Sequence, residues 1–454
     1  MKPMKQVVII APDFSPSSLP PALRIRFLAT HLPSFGWEPT ILSVDPGNYN
    51  WSIDPENEAL VPPQLQVLRT GAFPAGITRK IGIGDIAMRS FWQQWRALQD
   101  LCRRRKPDLV FVSVPPFVTM LLGRMAYARF GIPYVIDYID PWVITELYKR
   151  MPKSQRPPKW FAADLLSRLI EPLALRRVAH LTAVSRGTTD GIIPRYPWLA
   201  ADQATEIPYG GEPLDFEYLR RNPRRQTIFR NDDGFLHISY VGRGGSDMNK
   251  ALSAIFRCFR QGLDTAPELY GRVRFHFVGT TYAPDPTGQY QVLPLAEQFQ
   301  IQPYVLEHPG RVPYLDAIQL LLDSDALLAI GSESRHYTAS KIFPYIMAKK
   351  PLLAIYHEES SVVDILRKND TGVVVAFSES KPEQQFLDEV GAGLRNLVSP
   401  KDGVRNAVPR DLSPEHTTRS MAARLASVFD QVIASTPTTR AFAGHDPVGK
   451  TITA

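Results

Sequence analysis

Three short segments bring together residues suited to chemistry, each directly after an apolar run that reads as a buried strand. In the first, Gly242, Arg243, Gly244 and Gly245 follow the run 236–241, with Lys250 at the head of a helical pattern. A glycine-rich turn ahead of a helix can offer backbone amides to an anion, and two cations beside it would neutralise a diphosphate. In the second, residues 331–345 read GSESRHYTASKIFPY after the run 326–330. Glu333, Arg335, His336 and Lys341 crowd one strand end, and the Ser340 hydroxyl is placed to cap a helix starting there. In the third, PYVIDYIDPW ends a strand at Asp137 and sets Asp140 in the loop beyond it. Such loops carry binding groups in open α/β sheets, but Asp ahead of Pro141 serves equally well as a turn cap.

One motif match is rejected. Residues 444–451, GHDPVGKT, have the spacing of an ATPase phosphate loop, yet no strand precedes them and only Ile452, Thr453 and Ala454 follow. The nine histidines offer no helical pair spaced for a metal, and Cys102 and Cys258 lie too far apart in sequence to suggest a zinc site or disulfide framework. No metal and no cofactor is expected, and a reducing, cytoplasmic setting fits best.

The elements that position these segments follow from pattern. Short β-branched runs alternate with helical stretches, as in parallel βαβ units. Strands are expected at 7–11, 40–44, 109–114, 134–137 and 181–184, and again at 236–241, 273–278, 326–330, 352–355 and 373–376. A polar segment, 210–233, with five arginines and two prolines separates the sets. At 454 residues two domains are expected, 1–215 and 216–415, each with its own core. A helix at 416–435 is expected to follow and to be able to pack back on the first domain, with 436–454 as a loose tail. Two doubly wound domains would place strand ends across a cleft, the expected site.

The first apolar stretch is too short and lacks a cleavage site for a signal peptide, and no apolar run reaches bilayer-spanning length. The net charge of +7 lies mostly in the first half, where residues 1–215 hold 25 basic and 19 acidic side chains. Stretches 79–106 and 149–177 each carry eight basic against two acidic residues, mixed with Phe91, Trp92, Trp95, Trp160 and Phe161. That mixture suits an anionic membrane surface; solvated helix faces would read the same way.

Taken together, residues 5–435 resemble the retaining GT-B glycosyltransferases that build bacterial polysaccharides and glycolipids. The likeness rests on VVIIAPDFSPSSLPPALRIRFLATHLPSFGWEPTILSV, which includes Arg24, on PYVIDYIDPW, AHLTAVSRG and IPYGGEPLDF, and on FHFVGT and SKIFPYIMAKKPLLA in the second half. The resemblance implies two Rossmann-like parallel-sheet domains across a cleft and transfer of a sugar from a nucleotide diphosphate to a hydroxyl acceptor, with retention and without a metal. It implies that Arg243 and Lys250 grip the diphosphate beside Gly242, that Ser340 and Lys341 lie below the nucleotide, and that Arg24 and Asp137 stand on the acceptor side. Asp140, Glu333 and His336 are the candidate catalytic groups. The implied partners are a nucleotide sugar, a glycan or lipid-linked acceptor and an anionic membrane met peripherally; nucleic acid is not expected. The family's paired Glu positions hold His336 and Pro344 here, and Ser17 and Ser18 replace its N-terminal glycines. A catalytically silent protein that binds a nucleotide sugar or a partner is the alternative, and an epimerase on the same fold a third.

Overall fold

The structure is a computed structural model that describes residues 3–143, 158–281, 289–333, 341–399 and 411–435. The β-branched runs become strands because burial on both faces of a sheet favours them. In the first half β1 (Lys5–Ile10), β2 (Trp37–Val44), β3 (Gln66–Thr70), β4 (Leu109–Val114), β5 (Tyr134–Tyr138), β6 (His180–Ala183) and β7 (Ala204–Glu206) form a seven-stranded sheet in the order β3-β2-β1-β4-β5-β6-β7. In the second, β8 (Leu236–Val241), β9 (Val273–Val278), β10 (Val305–His308), β11 (Ala326–Ile330), β12 (Leu352–His357) and β13 (Val373–Phe377) form a six-stranded sheet in the order β10-β9-β8-β11-β12-β13. Every strand pairing is parallel. Strand order reverses beside β1 in one sheet and beside β8 in the other, and crevices open at such points beyond the strand C-termini.

Helices cover both faces of the first sheet. Helix α1 (Pro20–His31) starts on two prolines, tolerated where the first amides need no partner, and ends through a 3-10 turn at Gly36, whose φ of 81° lets the chain swing into β2. It shares its layer with the last helix of the described chain. On the opposite face lie α2 (Ile86–Arg104), α3 (Met120–Phe130) and α4 (Pro158–Leu175). In the second domain α5 (Pro213–Arg221), α7 (Tyr314–Asp323) and α8 (Ile342–Ala348) pack on one face, and α6 (Asn249–Thr265) and α9 (Glu383–Val398) on the other.

The chain crosses between the domains twice. After β7 it passes through 207–212, and the buried Phe216 and Leu219 of α5 already belong to the second core. Helix α10 (Thr418–Ser435) then returns to the first domain, where Phe429 meets Trp37 and Phe111 edge-on at centroid distances of 5.1 and 5.3 Å. The two crossings are hydrogen-bonded to each other: Gly211 N donates to His416 O at 2.9 Å and Thr418 N to Gly211 O at 2.9 Å. A Cβ on Gly210 would stand 2.7 Å from the His416 carbonyl oxygen, so glycine permits this approach.

Candidate active site

An apolar cleft lies between the sheets, and its lining draws on both domains. Leu23 and Phe27 of α1 face Ile318 and Leu321 of α7 and Met347 of α8, with Gly210 and Gly211 of the first crossing at the back. The ends of β8 and β9 contribute Gly242 and Gly279, and Arg311, Lys341 and Tyr209 supply polar groups. Such a concave, mostly apolar site with a few placed charges is the usual form of a small-ligand pocket.

The glycine turn after β8 differs from the expected phosphate cradle. Gly242 N donates to Val278 O at 3.0 Å and Gly244 N to Thr280 O at 2.7 Å, so both amides extend the sheet toward β9 instead of facing an anion. Gly242 is required because a Cβ there would lie 2.7 Å from the Tyr240 hydroxyl, which itself donates to Arg243 O at 2.8 Å. Arg243 and Lys250, expected to neutralise a diphosphate together, have different surroundings. Arg243 makes a bidentate ion pair with Asp247 at 2.9 and 2.6 Å, which pulls that carboxyl below its ordinary range. Lys250 is exposed one helix turn away and sets its ammonium 4.9 Å from the Phe377 ring centroid, outside the cleft lining.

The structure substitutes Arg311, which the sequence reading missed. It stands just past β10 and crosses the cleft to donate to the Ser18 carbonyl at 2.7 Å and hydroxyl at 2.9 Å. Lys341, immediately before α8, lines the same cleft. Although the residue keeps exposed surface, desolvation of its ammonium among the cleft walls, with the nearby charges of Arg311 and Arg243, lowers it to about 8. Among the described residues neither Arg311 nor Lys341 forms an ion pair with a carboxylate. Arg311 and Lys341 thus bring positive charge to a mostly apolar cleft that Glu212 also lines, and a phosphate would be attracted to these cations.

Asp13 lies behind this cluster, in the loop after β1. It is almost fully buried, and one carboxyl oxygen has no hydrogen-bond partner. Burial raises its pKa to about 7 against a hydrogen bond from Ser17 and the charge of Arg311.

Arg24 and Asp137, expected on the acceptor side, are buried against each other. Arg24 Nε and Nη2 donate to the Asp137 oxygens at 2.7 and 3.0 Å, both side chains have no exposed surface, and Thr182 Oγ1 adds a 2.6 Å bond. A pair so enclosed ties α1 to β5 and cannot touch an acceptor in this arrangement. Its guanidinium does lie 5.4 Å from the ring of Tyr209, so it supports the cleft wall from behind. Asp140, by contrast, is exposed beyond β5, its charge reaches Tyr209, and partial desolvation raises its pKa. Glu333 is exposed outside the cleft lining, its backbone amide bonded to Asp247 O at 2.8 Å. His336 and Ser340 lie outside the described residues. Pro344 lines the cleft. No group of three or more His, Cys, Asp or Glu side chains is arranged to hold a metal among the described residues.

Residues 21–210 match the model of the glycosyl transferase 4-like domain. No curated protein sequence matches the chain significantly. Solved structures align over nearly its whole length at low identity. Sucrose-phosphate synthase from Thermosynechococcus elongatus superposes with a TM-score of 0.55 at 12% identity, covering 95% of this chain and 99% of that one. A UDP-forming α,α-trehalose-phosphate synthase from Burkholderia xenovorans does so at 0.57 and 12%, covering 94% and 99%. Anabaena HepE, in complex with UDP and glucose, gives 0.55 and 12%, covering 94% and 100%. The architecture is thus the GT-B fold, and within it residues 21–210 match a glycosyl transferase 4-like domain.

Proposed function

We propose that this protein is a glycosyltransferase, moving a sugar from a nucleotide diphosphate to a hydroxyl acceptor, with retention and without a metal, in surface polysaccharide or glycolipid synthesis. The observation that carries the reading is the placement of Arg311 and Lys341 in the cleft with Arg243 close by and, among the described residues, no carboxylate ion-paired to either of the first two. As the bond between sugar and diphosphate breaks, negative charge grows on the leaving group, and cations already held in a low-dielectric site stabilise it without reorganising. UDP bound in HepE supports a nucleotide donor. Asp140, near Tyr209 at the cleft wall, is the acidic group best placed on the first-domain side to meet the acceptor or the transferred sugar. The acceptor is a glycan or is lipid-linked, met at an anionic membrane surface.

The test is to incubate the protein with a panel of nucleotide sugars and follow release of nucleoside diphosphate, beside an Arg311→Ala, Lys341→Ala variant. Release by the native chain and loss in the variant support the reading. A second reading, binding without transfer, is favoured by Pro344, which puts no polar side chain where the resembled family has a ribose-binding carboxylate. Nucleotide-sugar binding with no release from any donor would establish it.

A further inference from the structure

Helix α4 buries Ala174 and Leu175 in the core yet leaves a row of large apolar side chains outside it. Its buried face carries Ser167 and Glu171, the latter fully enclosed, while Phe161, Leu165, Leu169 and Leu173 are 58%, 60%, 57% and 57% exposed. These four recur every fourth residue and so form one stripe along the helix. A helix free to roll would bury them. It is held by Glu171, whose oxygens accept from Tyr138 Oη at 3.2 Å and Tyr196 Oη at 2.6 Å and pair with Arg195 at 3.0 Å. Releasing that carboxylate from its partners inside the domain would cost far more than leaving leucines in water.

We propose that this stripe is the surface by which the protein inserts into an anionic lipid bilayer; the consequence for the acceptor rests on the sugar-transfer reading above. Charge on the same helical layer selects the occupant. Arg176 and Arg177 are exposed in the turn just past α4, Arg129 is exposed at the end of α3, and Arg103, Arg104, Arg105 and Lys106 are exposed where α2 ends, Arg105 lying 3.8 Å from Glu38. Asp100 and Asp164, two acids of this layer, are paired locally with Arg103 and Arg168. A second copy would bring like charges together around the leucines, whereas anionic headgroups would meet the arginines as the leucines enter the acyl boundary. Trp92 on α2, two helices away in the same layer, is 58% exposed.

Topology aims the stripe at the cleft. A helix between parallel strands runs back from the strand C-termini, so the Phe161 end of α4 lies on the cleft side and the arginine end at the opposite edge of the sheet. A bilayer seated on α4 would lie beside the cleft mouth, and the acceptor suited to it is amphiphilic, with its hydroxyl-bearing head at the lipid surface.

The experiment is flotation of the full chain with vesicles of phosphatidylcholine alone or mixed with phosphatidylglycerol, at low and high salt. Native protein should float with the mixed vesicles, more weakly at high salt, and little with phosphatidylcholine. Leu165→Ser, Leu169→Ser, Leu173→Ser should weaken flotation by about tenfold or more, since binding scales with inserted apolar area. Arg176→Gln, Arg177→Gln should lower it and flatten its salt dependence. A Leu169→Cys variant carrying an environment-sensitive dye, which leaves the other leucines in place, should brighten on the mixed vesicles. The proposal is overturned if native protein ignores anionic vesicles at low salt, if the leucine variant floats like native, or if sedimentation shows a dimer that this variant dissolves. Diphosphate release by the soluble enzyme, measured in parallel, separates failure of this face from failure of the sugar-transfer reading.

Discussion

Lys341 differs from the other cleft cations in being able to lose its charge near neutral pH. Its pKa of about 8 belongs to an ammonium that desolvation and two arginines disfavour. A bound diphosphate favours the charged form, so affinity should hold below about pH 8 and decline as pH rises through it, as binding comes to require proton uptake. Calorimetry with a nucleoside diphosphate between pH 6.5 and 9 should show this slope in native protein and a flatter one in Lys341→Arg, which stays charged. Lys341→Ala or Arg311→Ala should each weaken binding by roughly 1.5–3 kcal/mol, the usual worth of a hydrogen bond to a charged group. Asp13 makes a second prediction with the opposite chemistry. Below its ordinary value of 3.8 both folded and unfolded chains hold the proton; up to about 7 only the folded chain does, so this residue's contribution to stability falls across that window and stays low above it. Asp13→Asn escapes the penalty. Its melting temperature relative to native should climb from pH 4 to 7 and then level off, and a constant difference would contradict the buried-acid reading. Neither Arg311 nor the Arg24 and Asp137 pairing could be read from sequence. The pair joins residues 113 positions apart, and an arginine at a strand end announces a fold contact no more than a ligand contact.

At the scale of elements, the strands most legible in sequence were those buried on both faces. Runs 109–114, 236–241, 273–278 and 326–330 coincide with β4, β8, β9 and β11. Strands β3, β7 and β10 escaped because they lie at sheet edges, where β3 and β10 mix exposed with buried positions and the short β7 buries none, so no continuous apolar run marks them. Missing β10 hid Arg311, since the residue is meaningful only as the next turn after a strand. The glycine turn misled for a related reason: the pattern reports backbone freedom, and here sheet hydrogen bonds and the Tyr240 hydroxyl use it up. Helix α10 offers the element-scale prediction. Phe429 is fully buried between Trp37 and Phe111, so Phe429→Ala should destabilise the first domain by about 3–5 kcal/mol, the usual cost of emptying a core aromatic site. The matching surface substitution Gln431→Ala, on the same helix, should change stability little, and equal effects in thermal melts would show that α10 is not part of that core.

The whole molecule is held across its cleft by an ion pair that neither domain could complete alone. Arg26 on α1 donates to both oxygens of Asp215 on α5 at 2.8 and 2.7 Å, nearly out of reach of solvent, and Tyr314 of α7 adds a hydroxyl at 2.7 Å. Around it Tyr314 N donates to Asp54 at 2.9 Å, Arg224 pairs with Glu56, and Arg311 reaches Ser18. These contacts sit on the α1 and α7 side of the cleft, so any opening of the domains must break them or turn about them. Domains joined by a small polar interface would unfold separately, whereas a buried bidentate pair couples them, because losing one partner strands a charge in the interior. Asp215→Asn should therefore cost about 3–5 kcal/mol at the junction while leaving each sheet intact. Differential scanning calorimetry should show one transition for the native chain and two for the variant, the cores melting independently once Arg26 has lost its partner. Nucleotide binding, which draws on residues from both sides of the cleft, should weaken in the same variant. A single, unshifted transition in Asp215→Asn would mean that the crossings at Gly211 and Thr418 suffice to couple the domains and that the ion pair only fills its site.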